Sequence, residues 1–137
     1  MDYMGDFIEA KYHLAVARRM MVTYGEFPEK RVLVGVISEM VKSVSRLIRS
    51  FLIYENVEGG WEVVLSRYLD GVTCENLRKI LEVGRARKVS PVEFTRGNKI
   101  VFLIGGKYRV LTVDRIREFL KSVDIAVKVF SENFRQV

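Results

Sequence analysis

Cysteine, histidine and glutamine are nearly absent from this sequence of 137 residues. It contains one cysteine (Cys74), one histidine (His13) and one glutamine (Gln136). A single cysteine cannot close an internal disulfide, and one cysteine with one histidine cannot supply the ligands of a structural zinc site within one chain. We therefore expect no disulfide, no metal and no cofactor, with Cys74 as a small half-buried thiol.

Long apolar runs are also missing. Charged or small polar residues interrupt every apolar stretch, whereas a membrane-spanning helix needs about 20 consecutive apolar residues. Residues 1–6 carry acids where a secretory signal carries bases followed by an apolar segment. The expected protein is soluble and cytoplasmic, with no membrane partner. The shortage of amides beside abundant Val, Arg and Lys is typical of thermophilic proteins.

The length and composition fit a single domain spanning residues 1–137. A chain of this size buries about two thirds of its unfolded surface, which is enough for one hydrophobic core. Apolar residues make up 49% of the sequence and charged residues 29%, so the low hydrophobicity of disordered chains is absent. No internal repeat or long linker divides the chain.

Two long helices are predicted in the N-terminal half. Between residues 3 and 24, apolar residues recur at spacings of three and four, the pattern of an amphipathic helix. A glycine and a proline in residues 25–28 end it, and so short a turn places the second helix, residues 29–54, antiparallel to the first. This second helix has a second apolar stripe: Val34, Val41, Ile48 and Leu52. The stripe predicts packing either against several helices of the same chain or across a homodimer interface.

Shorter elements are predicted in the C-terminal half. A third helix begins at Trp61 and ends before Gly71. Thr73 is predicted to cap a fourth helix, which Gly84 and the basic run 85–88 close. After these helices, residues rich in β-branched and aromatic side chains predict a small β-hairpin or three-stranded insert at about residues 92–111. Thr112 then caps the final helix. The predicted fold is a mainly α, up-down helical bundle with this insert before its last helix.

Positive charge is concentrated in one segment. Residues 78–109 contain nine bases and two acids, a net of +7, whereas the whole chain carries only +6. The bases are Arg78, Lys79, Arg85, Arg87, Lys88, Arg96, Lys99, Lys107 and Arg109. Such an uneven distribution is typical of a binding face.

Two interpretations of the basic segment remain open. Phe94, Phe102 and Tyr108 are interleaved with its bases, and Lys and Arg can contact phosphates while an exposed aromatic stacks on an unpaired base. This pattern predicts binding of RNA or another polyanion. Alternatively, the aromatics pack inward and the bases form a solvated edge that keeps the strands from pairing with other chains.

No catalytic motif is recognisable. His13 has no cysteine, second histidine or clustered carboxylates at ligand spacing and is expected to be a partly exposed helix residue. Gly105 and Gly106 lack the spacing of a phosphate-binding loop and are expected to form a turn. The sequence therefore favours a protein without enzymatic activity, and no catalytic residues are assigned.

The chain resembles a known superfamily in two respects. Its two long antiparallel helices followed by shorter ones and a closing helix resemble the HEPN superfamily of helical bundles. Residues 90–96, Ser-Pro-Val-Glu-Phe-Thr-Arg, resemble a block in an uncharacterised archaeal group of HEPN-like proteins, in which a basic helix and a small hairpin follow two N-terminal helices. This resemblance implies the fold and brings little information about function.

Catalytic HEPN ribonucleases carry an arginine, four to six residues and then a histidine, and this chain departs from that pattern. Its histidine precedes every arginine, and Arg49 is followed five positions later by Tyr54 instead. Tyrosine ordinarily has a pKa near 10, too high for a base at neutral pH. The leading hypothesis is a non-catalytic module that binds RNA. The alternatives are a homo-oligomeric interaction module that uses its second helix, and a divergent ribonuclease that uses Arg46, Arg49 and Tyr54.

Overall fold

The computed structural model describes residues 3–89, 93–96, 98–104 and 106–134, and the side chains at 3–88, 98–103 and 106–134. These residues form five helices and one sheet. The helices are α1 (Tyr3–Glu26), α2 (Lys30–Glu55), α3 (Trp61–Leu65), α4 (Gly71–Val89) and α5 (Val113–Phe134). The strands are β1 (Glu93–Arg96), β2 (Lys99–Ile104) and β3 (Lys107–Thr112). The predicted mainly α bundle with a small β insert before its last helix is confirmed.

Helix α2 is the centre of the bundle, packing against α1, α4 and α5. Its contact with α1 combines small residues and hydrogen bonds. Ala10 and Ala17 of α1 are fully buried. The hydroxyls of Ser43 and Ser50, also fully buried, donate 2.7 Å hydrogen bonds to the backbone carbonyls of Ala10 and Tyr3. The two helices can approach closely here because the side chains between them are small and the buried hydroxyls have acceptors.

Aromatic side chains fill the core at the end of the bundle where α1 begins. Phe51 of α2 stacks on Phe130 of α5 with ring centroids 3.9 Å apart. Phe134 meets the ring of Phe7 edge-on, with centroids 5.0 Å apart. Tyr54 contacts Phe134 in the same cluster. These rings join the three longest helices through one apolar cluster.

Helix α4 differs from the prediction in its N-terminal cap and in the place of Gly84, while the basic run lies at its C-terminal end as predicted. Asp70, not Thr73, caps its N-terminus: the Asp70 Oδ1 atom accepts a 2.7 Å hydrogen bond from the Thr73 backbone N–H. Both the backbone and the hydroxyl of Thr73 donate to this carboxylate, which lowers the pKa of Asp70. Thr73 thus lies inside the first turn. At the other end, α4 continues through Gly84 and the basic run to Val89.

Gly84 has a packing role inside α4. A Cβ atom at this position would lie 2.8 Å from Cγ1 of Val41 and 3.0 Å from its Cγ2, both closer than ordinary van der Waals contact. The glycine therefore lets α4 lie directly against α2. The sequence pattern suggested a helix end because glycine is common there, but close helix packing also selects glycine.

The sheet is antiparallel with strand order β1-β2-β3. Ile100, Phe102 and Leu111 are buried against the helices, whereas Tyr108 and Val110 are exposed. Gly106 has a φ of +78° in the β2–β3 turn, as the predicted turn requires. After the sheet, the Thr112 hydroxyl accepts a 3.1 Å hydrogen bond from the Arg115 N–H, so its predicted role as the cap of the last helix is confirmed.

Within the described ranges, no helix is both long and apolar enough to cross a bilayer.

Candidate functional site

A groove of about 670 Å³ lies over the surface of α2, with α1 on one side and α4 on the other; we call it the α2–α4 groove. Its lining residues are His13, Ser38, Val41, Lys42, Ser45, Arg46, Gly84, Arg87 and Lys88. The α2 residues of this set recur at spacings of three and four, which places them on one face of the helix. Two of them are serines, so the floor of the groove is both small and polar.

The geometry of α4 brings part of the basic segment into this groove. Because Gly84 lies on Val41, the next turn of α4 approaches α2 closely. Arg87 then donates a 2.8 Å hydrogen bond from Nη1 to the hydroxyl of Ser38. Lys88, which is exposed, follows at the rim. Arg87 and Lys88, both predicted site residues, thus line the same groove as two cations of α2, Lys42 and Arg46.

Among the described residues, the groove lining contains four cations and no carboxylate. Carboxylates behind it hold two of these cations in place. Arg46 pairs with Asp6 at 2.9 Å and with Glu9 at 3.0 Å, and Lys42 lies 3.4 Å from Glu39. Asp6 and Glu39 are only 11% and 19% exposed, whereas the two cations are 43% and 57% exposed. These carboxylates balance part of the positive charge of Arg46 and Lys42, as Glu75 and Glu82 do for Arg78 on α4, and they also fix the orientation of both cationic side chains at the groove.

His13 is a partly exposed residue of α1, as predicted, and it has a partner on α2. Its Nδ1 lies 2.5 Å from Oε2 of Glu39, and both side chains are only 19% exposed. A histidine on α1, backed by a carboxylate on α2, therefore forms one wall of the groove. Glu39 was missed because the two residues lie 26 positions apart, and only the antiparallel packing of the helices brings them together.

Arg78, the first base of the segment, lies in a local ion-pair network on α4. It contacts Glu75, and its Nη1 lies 2.7 Å from Oε1 of Glu82. The hydrogen bond from Arg78 lowers the pKa of Glu75, and Glu75 in turn raises the pKa of Arg78. Much of the charge of Arg78 is thus balanced by its own helix. Lys79 is half-buried and Arg85 is exposed on other turns of α4.

The remaining bases belong to the sheet. Lys107 and Arg109 are exposed on β3. Lys99 is exposed at the start of β2, beside a hollow bordered by the turn between α1 and α2. Arg96 ends β1, and its side chain lies outside the described residues. The basic segment is therefore divided between the α2–α4 groove, the outer surface of α4 and the sheet.

The residues of the predicted ribonuclease alternative have structural partners. Arg46 and Arg49 both contact Asp6, the latter at 3.4 Å between Nε and Oδ2. Tyr54 lies in the aromatic cluster with Tyr3 and Phe134. A ribonuclease that uses these residues stays a prediction.

Metal ligands do not cluster in the part of the chain that the structure describes: it holds no group of three or more His, Cys, Asp or Glu side chains placed to bind an ion. Cys74 is half-buried, as predicted, and desolvation raises the pKa of its thiol. A raised pKa lowers the thiolate fraction at neutral pH and with it the reactivity of the residue.

Comparison of the chain with protein-family models, with curated proteins and with solved structures found no match. The resemblance to HEPN proteins stays a prediction.

Proposed function

We propose that this chain is a non-catalytic, HEPN-like module that binds RNA through the α2–α4 groove. The observation that carries the proposal is the presence of four cations, from two helices, around a concave surface whose described lining includes no carboxylate. Phosphates bind to such surfaces because each contact with Lys or Arg releases condensed counterions. The serine hydroxyls of the floor can donate further hydrogen bonds to phosphate oxygens.

Fixed partners make this surface suitable for binding. Arg87 is held by Ser38, and Arg46 is held by Asp6 and Glu9. Cations that are already oriented lose less conformational entropy when a phosphate binds. Lys42 and Lys88 are more exposed and can adjust to the backbone of the nucleic acid.

The test is the affinity for a labelled RNA over a series of salt concentrations. The logarithm of the affinity should fall linearly with the logarithm of the salt concentration, by about 0.7 per phosphate contact for a single strand. Lys42→Glu and Lys88→Glu should each weaken binding and lower the slope by about 0.7, the value of one phosphate contact. Lys121→Glu makes the same charge change on α5, outside the groove, and should change neither quantity by as much.

Two results would contradict the proposal. The first is an affinity that does not respond to salt, and the second is an equal loss of binding in the groove variants and in Lys121→Glu. Heparin competes for any cationic surface, so heparin binding as tight as RNA binding would identify a general polyanion site instead.

The homodimer alternative concerns the second apolar stripe of α2. Ile48 is only 7% exposed, and Val41 packs on Gly84 within the same chain. Val34 and Leu52 are half-buried against the core. A homodimer through α2 stays a prediction, and sedimentation equilibrium at high protein concentration tests it.

A further inference from the structure

His13 has two ring nitrogens, and Glu39 contacts only one of them. Nδ1 lies 2.5 Å from the Glu39 carboxylate, and Nδ1 must be the donor of this hydrogen bond because a carboxylate only accepts. Nε2 has no hydrogen-bond partner among the described residues, and none of their side-chain nitrogens or oxygens is both buried and unpaired. Nε2 is therefore open to solvent, on a residue that lines the α2–α4 groove.

The proton on Nδ1 limits what Nε2 can contact. A neutral imidazole carries one N–H, so Nε2 presents a lone pair while Nδ1 is the donor. Phosphate oxygens are also acceptors, and a neutral His13 therefore cannot bind a phosphate through Nε2. A second proton, on Nε2, gives the ring a positive charge and a donor at each nitrogen. The ring then lies between two anions, the Glu39 carboxylate and the phosphate, and both stabilise its charge.

We propose that His13 contacts a backbone phosphate of RNA in the α2–α4 groove, and that it does so only when it is protonated. RNA binding then takes up one proton, so the affinity rises as the pH falls. This inference rests on the proposed function and adds the regulation of the same site by pH. Histidine suits this role because it ordinarily changes charge between about pH 5 and 8. The chain contains one histidine, so one residue accounts for the effect.

Charged groups from α1, α2 and α4 lie around His13. On α2, the other oxygen of the Glu39 carboxylate lies 3.4 Å from Nζ of Lys42. The ring of Tyr12 on α1 meets the His13 ring edge-on, with centroids 5.3 Å apart, and tyrosine ordinarily stays neutral where histidine titrates. The other charged groups are the groove cations Arg46, Arg87 and Lys88 and the α1 acids Asp6 and Glu9, which pair with Arg46.

These neighbours make the charge of His13 sensitive to a bound phosphate. Glu39 favours a proton on the ring, whereas the groove cations oppose it. A phosphate in the groove balances part of the charge of those cations and also attracts the imidazolium directly. Both effects favour the proton in the complex over the free protein, and this difference is what couples RNA binding to pH.

The experiment measures the affinity for an oligouridine at constant ionic strength between about pH 5.5 and 8. Uracil takes up no proton in this range. The RNA has no terminal phosphates, because a phosphomonoester itself titrates near pH 6. The unmodified protein should bind about tenfold more tightly at the acidic end, as expected for one added hydrogen bond between two charged groups.

Two variants assign the effect to His13. Asparagine can donate a hydrogen bond to Glu39 but does not titrate, so His13→Asn should bind like the unmodified protein at the alkaline end and gain little affinity on acidification. Lys88→Gln is the matched control, because it removes a groove cation and keeps the histidine. It should weaken binding at every pH and retain the full pH dependence.

The single histidine also gives a direct readout in the unmodified protein, which does not depend on the folding of any variant. The NMR signal of its ring Hε1 proton shifts as the ring gains charge. The midpoint of this titration should move to higher pH when the oligouridine is added. Glu39→Gln removes one of the two anions beside the ring and should move the midpoint to lower pH, with and without RNA.

The outcomes separate the inference from the proposed function. The inference is wrong if the His13 signal titrates at the same pH with and without RNA, or if His13→Asn gains as much affinity on acidification as the unmodified protein. In both cases the proposed function stands as long as Lys42→Glu and Lys88→Glu weaken binding. If the unmodified protein binds RNA at no pH in low salt, both are wrong.

Discussion

The Arg87 guanidinium donates a 2.8 Å hydrogen bond to the hydroxyl of Ser38, and this bond joins the last turns of α4 to the middle of α2. We expect Arg87→Ala to weaken RNA binding and to lower the free energy of unfolding by about 1 kcal/mol, the usual contribution of one such hydrogen bond. Ser38→Ala should cost a similar amount of stability but keep the cation and most of the affinity.

A double-mutant cycle separates the two effects. Denaturant unfolding of Arg87→Ala, Ser38→Ala and the double variant should give a coupling energy of about 0.5–1.5 kcal/mol. Additive losses would show that the hydrogen bond does not contribute to stability.

Close packing of α4 on α2 predicts the response of Gly84 to substitution. Gly84→Ala places a Cβ atom 2.8 Å from a Val41 methyl group, and the β-branched side chain of Val41 has few alternative rotamers in a helix. Overpacking costs about 1–3 kcal/mol and outweighs the gain of up to about 1 kcal/mol in helix propensity. The variant should therefore unfold at lower denaturant concentration.

Gly5→Ala is the matched control, because nothing lies within 4 Å of its added Cβ atom in α1. This variant should be at least as stable as the unmodified protein. Adding Val41→Ala to Gly84→Ala should cost less than Val41→Ala alone, since the new methyl group then fills space that Val41 leaves. A stable Gly84→Ala variant would show that α2 and α4 can separate without cost.

Asp70 makes the start of α4 sensitive to acid. Hydrogen bonds from Thr73 lower the pKa of its carboxyl below the ordinary value of 3.8. The cap therefore stabilises the folded state above the unfolded pKa and loses this effect as pH falls through the lower, folded pKa. Asp70→Asn should match the unmodified protein near pH 7 and lose less stability on acidification, because asparagine caps without titrating.

Thermal unfolding at several pH values between about 3 and 7 measures this difference. Asp70→Ala removes the cap at every pH and should be the least stable of the three proteins at pH 7. Parallel pH profiles for Asp70→Asn and the unmodified protein would contradict the assignment.

The stacked pair of Phe51 and Phe130 predicts a large loss of stability. Phe51 is fully buried, and Phe51→Ala should lower the free energy of unfolding by about 3–5 kcal/mol, because it removes apolar contacts and leaves a cavity. Phe27→Ala makes the same chemical change in the turn after α1, where the ring is 63% exposed. That variant should change stability by no more than about 0.5 kcal/mol.

Much of the fold could be predicted because its signals are local. Apolar spacings of three and four identified α1, α2 and α5. Thr112 was correctly assigned as a cap because its hydroxyl and the backbone N–H from which it accepts a hydrogen bond lie only three residues apart in the sequence. Gly84 was misread for the opposite reason. Its effect depends on Val41, more than 40 positions away, and a glycine looks the same in sequence at a helix end and at a close helix contact.

The site was less predictable than the fold. Arg87 and Lys88 were identified by the concentration of charge in residues 78–109. The groove is also lined by Lys42 and two serines of α2, which lie outside that segment and form no charge cluster along the chain. Ser38 and Ser45 of α2 did carry a signal for a polar groove: they are two small polar residues one heptad apart on a helix with a wide apolar face. Tertiary packing decides which such face meets cations from another helix.

The hydroxyls of Ser43 and Ser50, which donate hydrogen bonds to the backbone of α1, fix the register of α1 along α2. They are seven residues apart, and their acceptors, Ala10 and Tyr3, are also seven apart in the opposite direction. If α1 slid by one turn, about 5.4 Å, both hydroxyls would have to find new acceptors in a buried interface. His13 is on α1 and Glu39 is on α2, so the two serine hydrogen bonds that fix the helix register also set the position of the His13 wall of the groove.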